Sequence, residues 1–444
     1  MTKVGCDTSV PSFMILVSTM RHLREARAKS VRGGTPTPST RGPLRAITAA
    51  TLLALMVSLS PDLTQAPTLA DEPGAATRAS QTLLTVPGVP QPIEPSLPLR
   101  RPAAPIVVGP ATAEATTSAA NAQQFQSALD TARYAAGAYG ITFAAVRDGQ
   151  VVWAGSSGVE RDGRTRLSPE SSMVVGSVTK TFVAATVLQL VDDGRLALDD
   201  PVRDYLPELR KVSRKITIRE LLDHTSGLAD VFNDETRRGL EEHPNRAWSR
   251  SQVLATLHAP WYQPGEGWAY ANTNYMLLGM IVERVTGSTL EDELAARFLG
   301  PLDLTGTRML RPDDSSSPLP AAWTTIFWAS GNMVSSAGDL ARWGDALYDD
   351  DVAGAQILGA ETERAMLDIH REDYGLGVKR MKVSPRTGYG HTGLLNTYTT
   401  LLLHFPDDDV TIALLVNRTN VDLLRTIIEK APGGKSLLRL AIDS

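Results

Sequence analysis

The chain has one cysteine, Cys6, in 444 residues. That excludes an internal disulfide, a cysteine-based zinc site and a cysteine nucleophile in the body of the protein. It has no H-x-x-x-H pair and no clustered Asp/Glu with ligand spacing, so neither a metal nor a cofactor is implied. A basic face is missing as well. Residues 1–70 carry 8 Lys and Arg against 3 Asp and Glu, and the remainder carries 36 against 46. The body is therefore acidic, which argues against nucleic-acid binding. There is no apolar run long enough to span a bilayer comfortably. The longest, Ala46–Leu59, has about fourteen residues. No internal repeat is found.

What is present is ordinary globular material, 42% hydrophobic and 21% charged, behind a long unusual N-terminus. Residues 1–70 form a basic extension and a signal-peptide-like segment: Arg41 and Arg45 precede the apolar run and Pro61 follows it. Small residues at Thr68-Leu69-Ala70 suit cleavage after Ala70. The alternative is an uncleaved signal anchor, the only membrane contact expected, and either places the body outside the cytoplasm. Residues 71–121 are rich in Pro, Ala and Thr, which makes an extended linker and cannot build a core. The folded body is expected over 122–435, with 436–444 as a C-terminal tail.

Within the body, Gln123–Gly137 reads as a helix, and Ile141–Val146 and Val151–Gly155 as strands about an Asp148-Gly149 turn. Helical character dominates to about residue 350. Strands return at Tyr374–Val383, Gly390–His404 and Val410–Val416, followed by a helix over Asn420–Ala431. Strands at both ends with helices between them predict an α/β (α+β) fold. Its antiparallel sheet is completed by both chain ends and flanked by N- and C-terminal helices, with an inserted helical domain and a cleft between the parts.

One stretch organises the chemistry: G-S-V-T-K-T-F-V-A-A-T-V-L-Q-L-V-D-D-G, from Gly176 to Gly194. As a helix it is apolar nearly all round, hence buried, and Ser177 and Lys180 open it on one face. A desolvated lysine amine can take the proton of a neighbouring serine hydroxyl. Two further motifs follow in order. Tyr270-Ala271-Asn272 lies on a loop after a Pro-Gly turn, and His391-Thr392-Gly393 lies in a strand. His224, in H-T-S-G-L, reads as a residue tying a loop beneath the site. The tryptophans read as core or cleft wall.

From about residue 125 to 430 the chain resembles the penicillin-recognising serine hydrolases, that is, class C β-lactamases, DD-carboxypeptidases and related esterases. The segments G-S-V-T-K-T-F, L-L-D-H-T-S-G-L, P-G-E-G-W-A-Y-A-N-T-N-Y and D-L-A-R-W carry the resemblance along with the three motifs. It implies that the fold is β-lactamase/transpeptidase-like and that Ser177 is the acylated nucleophile. Lys180 and Tyr270 would share proton transfer, with the choice of base left open. Asn272 would bind the substrate amide or orient Lys180. His391 replaces the lysine of the usual K-T-G, so the resemblance implies that it holds a substrate carboxylate, as imidazolium, or polarises Tyr270. Thr392 would bond the same carboxylate, Gly393 would let the substrate lie close, and the Ser177 and Leu394 N–H groups would form the oxyanion hole. H-T-G resembles the DD-carboxypeptidase and D-aminopeptidase branches more than the efficient β-lactamases. The expected function is an exported hydrolase acting through an acyl-enzyme on a small-molecule or peptide substrate, foremost a D-alanyl-D-alanine cell-wall peptide. The alternatives are an ester or β-lactam substrate, or a non-catalytic penicillin-sensing homologue.

Overall fold

The structure is a computed structural model that describes residues 118–348 and 356–444. The expected signal segment and nearly all of the expected linker lie outside the described residues. The described residues begin slightly before the predicted boundary at 122. Helix α1 spans Ala119–Ala136, and the Ser118 side chain caps it by accepting from Asn121 N. Its C-terminus closes on Gly137.

Strands β1 (Gly140–Arg147) and β2 (Gln150–Gly158) follow as a hairpin. Its turn places Asp148 and Gly149 at positive φ, the mirror-image geometry that matches strand twist. The last three strands are β7 (Arg386–Leu395), β8 (Tyr398–Phe405) and β9 (Val410–Val416), preceded by β6 (Lys379–Val383). All six form one antiparallel sheet in the order β2-β1-β9-β8-β7-β6, in which Ile141 pairs with Val416. The first and last parts of the body therefore meet in mid-sheet, as the order of elements predicted.

Two details differ from the sequence reading. The run Gly390–His404 is a hairpin rather than one strand. Leu395 pairs with Tyr398 around Asn396, whose φ is 52°; asparagine tolerates this conformation, but without a glycine the turn carries no strong signal. The predicted strand from Tyr374 starts only at Lys379.

Between the two sheet halves lie mostly helices. Those that build the site are α2 (Thr179–Asp192), α3 (Asn272–Thr286), α4 (Ala321–Gly331) and α5 (Ala337–Tyr348). A small sheet in the order β3-β5-β4 joins Met173–Val174 (β3), Arg308–Met309 (β4) and Met333–Ser335 (β5). Strands this short show no alternation to read.

The sheet separates two apolar cores. On one face Phe125 of α1 stacks on Trp153 of β2, 4.8 Å between centroids. On the other, Trp343 of α5 stacks on Phe182 of α2 at 4.0 Å, and its indole N–H donates to Thr181 Oγ1 at 2.9 Å. That contact locks the buried helix α2 to the layer against the sheet.

The C-terminus corrects the sequence reading most clearly. Instead of one closing helix and a tail there are two helices, α6 (Leu423–Ile428) and α7 (Leu437–Asp443). Leu437, Leu438, Leu440 and Ala441 are buried in the core shared with α1, so residues 436–444 are structural. The helix was missed because seven residues are too few for a clear 3.6-residue period. Leu437→Ala should therefore destabilise the protein by about 2–5 kcal/mol, whereas Arg439→Ala on the exposed side should cost less than about 1 kcal/mol. Thermal unfolding of the two variants checks this; equal, small shifts would mean the helix is not part of the fold.

Candidate active site

Two glycines bring the start of α2 against β7. Gly176 has φ +52°, and a Cβ there would stand 2.8 Å from Leu394 N. A Cβ on Gly393 would stand 1.9 Å from Val175 O. Only bare backbone fits on either side, so Ser177 is held beside the strand residues Gly393 and Leu394. Ser177 itself lies in a single 3₁₀ turn, Gly176–Val178, and α2 begins just after it. The predicted helix is thus entered through a tighter turn, with the Ser177–Lys180 spacing retained. Ser177 is half-buried and Lys180 is 0% exposed.

Lys180 Nζ contacts three oxygens: Ser177 Oγ at 3.2 Å, Asn272 Oδ1 at 2.9 Å and Ser330 O at 2.6 Å. Ser330 lies in the last turn of α4, where carbonyls have no partner within the helix. The helical path breaks at Trp328, just before it. Asn272 opens α3 and is held by Asp230. Its backbone N donates to Asp230 Oδ1 at 3.0 Å and its Nδ2 to Oδ2 at 3.2 Å, while Phe232 N also donates to Oδ1. Because Nδ2 must face the carboxylate, Oδ1 must face Lys180.

Burial pushes the Lys180 pKa well below the usual lysine range; the Asp230 carboxylate opposes this and Lys379 adds to it. Burial raises Asp230 to about 6, against its hydrogen bonds and the nearby Lys180. A neutral amine has two N–H donors and one lone pair. With the donors on Asn272 Oδ1 and Ser330 O, the lone pair remains for the Ser177 hydroxyl.

Tyr270 closes the group from its loop. Its Oη is buried without a hydrogen-bond partner. Burial raises its pKa, with nearby Ser177 favouring the ionised form. The Lys180 amine stands 4.9 Å from the ring centroid. The His224 ring supports Tyr270 at 4.3 Å between centroids. His224 Nδ1 lies 3.3 Å from Ala271 N and 2.9 Å from Asn274 Nδ2 and accepts from these donors, so the ring is neutral. Burial, with Lys180, holds it there. It ties the loop beneath the site, as read from the sequence.

His391 is where the expected role changes. The ring is 0% exposed, with Nδ1 2.7 Å from Thr392 O and Nε2 3.0 Å from Tyr374 Oη. A carbonyl only accepts, so Nδ1 carries a proton, and in the neutral ring Nε2 is the nitrogen that accepts from Tyr374. Burial, with Lys379 and Lys180 nearby, pushes its pKa well below the usual histidine value. An imidazolium awaiting a carboxylate does not fit this position, and no N–H is left to polarise Tyr270. The ring centroids of His391 and Tyr270 are 6.3 Å apart. Thr392 and Leu394 are half-buried on the same strand.

The structure also brings in residues the motifs did not reveal: Asp230, Ser330, Tyr374 and Lys379. Lys379 begins β6 opposite Gly390, and its Nζ stands 5.6 Å from the Tyr270 ring centroid. The only available signal was its place in the strand beside H-T-G. Among the described residues no group of three or more His, Cys, Asp or Glu is placed to hold a metal ion.

If His391 is fixed as the neutral Nδ1–H form, its ring nitrogens should show no titration between about pH 6 and 8, where a free histidine changes charge. Nitrogen-15 NMR of the imidazoles, assigned with His391→Gln, measures this. A transition centred in that window would restore the charged role.

Comparison with known proteins agrees with the architecture. The family model described as Beta-lactamase matches residues 119–432. Penicillin-binding protein 4 of Amycolatopsis lactamdurans is 30% identical over 312 residues, covering 63% of this chain and 80% of that protein. A D-aminopeptidase of Brucella anthropi is 25% identical, over 63% of this chain and 56% of its own. Among solved structures, a D-stereospecific amidohydrolase from Streptomyces sp. superposes with TM-score 0.58 and 31% identity, covering 70% of this chain and 99% of that one. With a family match over most of the body and the antiparallel sheet and helices of its solved relatives, the chain belongs to the β-lactamase family of serine hydrolases.

Proposed function

We propose that this enzyme is an exported acyl-transferring hydrolase that cleaves amide bonds next to a D-amino acid, with D-alanyl-D-alanine peptides as the leading substrate class. The observation that carries the mechanism is the three-oxygen environment of the buried Lys180 amine. The Ser177 Oγ–H gives its proton to the free lone pair of Lys180 as the oxygen attacks the substrate carbonyl carbon. The resulting oxyanion faces the backbone N–H groups of Ser177 and Leu394, which the two glycines bring together. Collapse breaks the C–N bond. Tyr270, protonated and beside Ser177, donates to the leaving nitrogen and is reprotonated by the Lys180 ammonium. Water then releases the acyl group by the reverse route.

D-specificity is supported by the 31% identical D-stereospecific amidohydrolase, and a cell-wall peptide by the 30% identical penicillin-binding protein. Export is supported by the basic residues and apolar run that end at Leu59.

Two measurements test the mechanism. Intact-mass analysis with benzylpenicillin and with a fluorophosphonate should show one adduct, mapped to Ser177 and absent in Ser177→Ala; an adduct elsewhere would sink it. Lys180→Arg replaces the amine with a permanent cation that has no usable lone pair, so acylation should fall by about 10²–10⁴.

The pH dependence has a definite sign. Asp230, raised to about 6, is a carboxylate only above that pH, and Lys180 is a base only above its own depressed pKa. Asp230 therefore makes kcat/KM rise with pH through the region near 6, and Lys180 makes it rise through its own depressed pKa. A profile that falls through that region would contradict a free-amine base.

A further inference from the structure

Ser330 offers its carbonyl to Lys180 from a helix that is not regular. At Trp328 the backbone of α4 leaves the helical region, with φ 10° and ψ −110°. Side-chain donors enter the helical ladder around this break. Asn332 Nδ2 donates to Thr324 O and to Leu310 O, both at 3.0 Å, and Ser330 Oγ donates to Phe327 O at 2.6 Å. A strap also runs along α4, from Pro244 to the short helix Arg250–Ala255. Ala322 N donates to Pro244 O at 2.9 Å, Trp248 N donates to Thr325 Oγ1 at 3.0 Å, and the Arg250 guanidinium lies 3.7 Å from the Trp328 ring centroid. These contacts descend α4 in steps of three residues and end at the break. Arg250 is itself fixed, because its two terminal nitrogens donate to the Glu283 carboxylate of α3 at 2.7 and 2.9 Å. Gly279 of α3 meets the same indole: a Cβ there would stand 2.9 Å from the Trp328 ring and 2.6 Å from Ala329 Cβ. Trp328 is therefore tied to α3 twice, by direct packing and through the Arg250–Glu283 pair.

We infer that Arg250 is a positioning residue for acylation, acting on Lys180 through the break in α4. The guanidinium holds the indole against α3, the indole holds the break, and the break aims Ser330 O, two residues on, at Lys180 Nζ. Helix α3 also carries Asn272, the other fixed acceptor of that amine, at its first residue. Glu283 and Arg250 thus tie both acceptors to one frame. A cation over an indole face is attracted to it electrostatically, so the link has a preferred geometry beyond general packing. Loosening it leaves Asn272 as the one fixed acceptor, and the amine no longer keeps its lone pair on the Ser177 hydroxyl. Arg250 is half-buried, so replacing it leaves the apolar core intact.

The inference rests on the acyl-enzyme reading, and the experiment separates the two. Labelling of Ser177 by a fluorophosphonate is followed by intact mass in the wild type, Arg250→Met and Arg250→Lys. The control is Arg284→Ala, which breaks the exposed pair that the residue after Glu283 makes with Glu208 at 3.1 Å. All are measured well below their unfolding temperatures, checked by circular dichroism. Arg250→Met should label about 10- to 100-fold more slowly, the cost of a small displacement of a catalytic group. Arg250→Lys, which keeps a cation for the ring and a partner for Glu283, should recover part of that loss, and Arg284→Ala should label at the wild-type rate. Carbon-13 NMR of the lysine Cε groups, assigned with Lys180→Met, then tells positioning from loosening. A carbonyl acceptor favours the ammonium, so losing Ser330 O alone moves the Lys180 midpoint down in Arg250→Met, whereas water entering a loosened core moves it up. Wild-type labelling in Arg250→Met, an equal loss in Arg284→Ala, or a midpoint that stays or rises overturns the assignment. Failure of the fluorophosphonate to label wild-type Ser177 would instead overturn the acyl-enzyme mechanism, and the Lys180 midpoint would still decide whether Arg250 acts on the amine.

Discussion

The site depends on one buried amine. Lys180 is fully enclosed, and burying an ammonium costs far more than burying a methylene chain. The protein meets that cost in two ways: it lowers the pKa until the neutral amine is accessible, and it gives that amine two fixed acceptors. Each acceptor comes from a different helix end, Ser330 O from the last turn of α4 and Asn272 Oδ1 from the first residue of α3. Ser330 O is one of the carbonyls that a helix end leaves without a partner, and Asn272 Oδ1 is a side-chain oxygen at a helix start. Asp230 completes the arrangement indirectly. It fixes which way Asn272 points, and so decides that Lys180 meets an oxygen and not a second donor.

The aromatic and imidazole groups around Tyr270 serve the same end. His224, Tyr374 and His391 are buried rings with internally assigned protons, and each removes freedom from its neighbour. Neutral imidazoles add no positive charge beside Lys180.

Much of this was legible in the sequence. The Ser177–Lys180 spacing, the loop carrying Tyr270 and Asn272, and the strand carrying H-T-G are local patterns, and local patterns survive folding. The meeting of β1 with β9 followed from the order of elements. What could not be read came from contacts distant in sequence. Lys379 carries no motif and matters only through sheet pairing, Ser330 contributes a backbone atom, and Asp230 acts through Asn272. The charge state of His391 was misread because residue type sets only a reference pKa, and burial beside two lysines overrides it. Short elements such as α7 and the β3–β5 sheet were missed because they hold too few residues for any period.

The pairing of β1 with β9 also has a consequence for how the chain is made. As it is synthesised, the β1–β2 hairpin and the Ser177 turn exist before any strand that will flank them. Gly393 and Leu394, which complete the site, come later, and β9, which closes the sheet onto β1, later still. Pairings so far apart in sequence form slowly, and until then β1 exposes an unpaired edge. No N-terminal fragment can hold the assembled site. Assembly of this site is therefore a report that the whole body has folded, because Ser177 meets Gly393 and Leu394 only after nearly the entire chain is present.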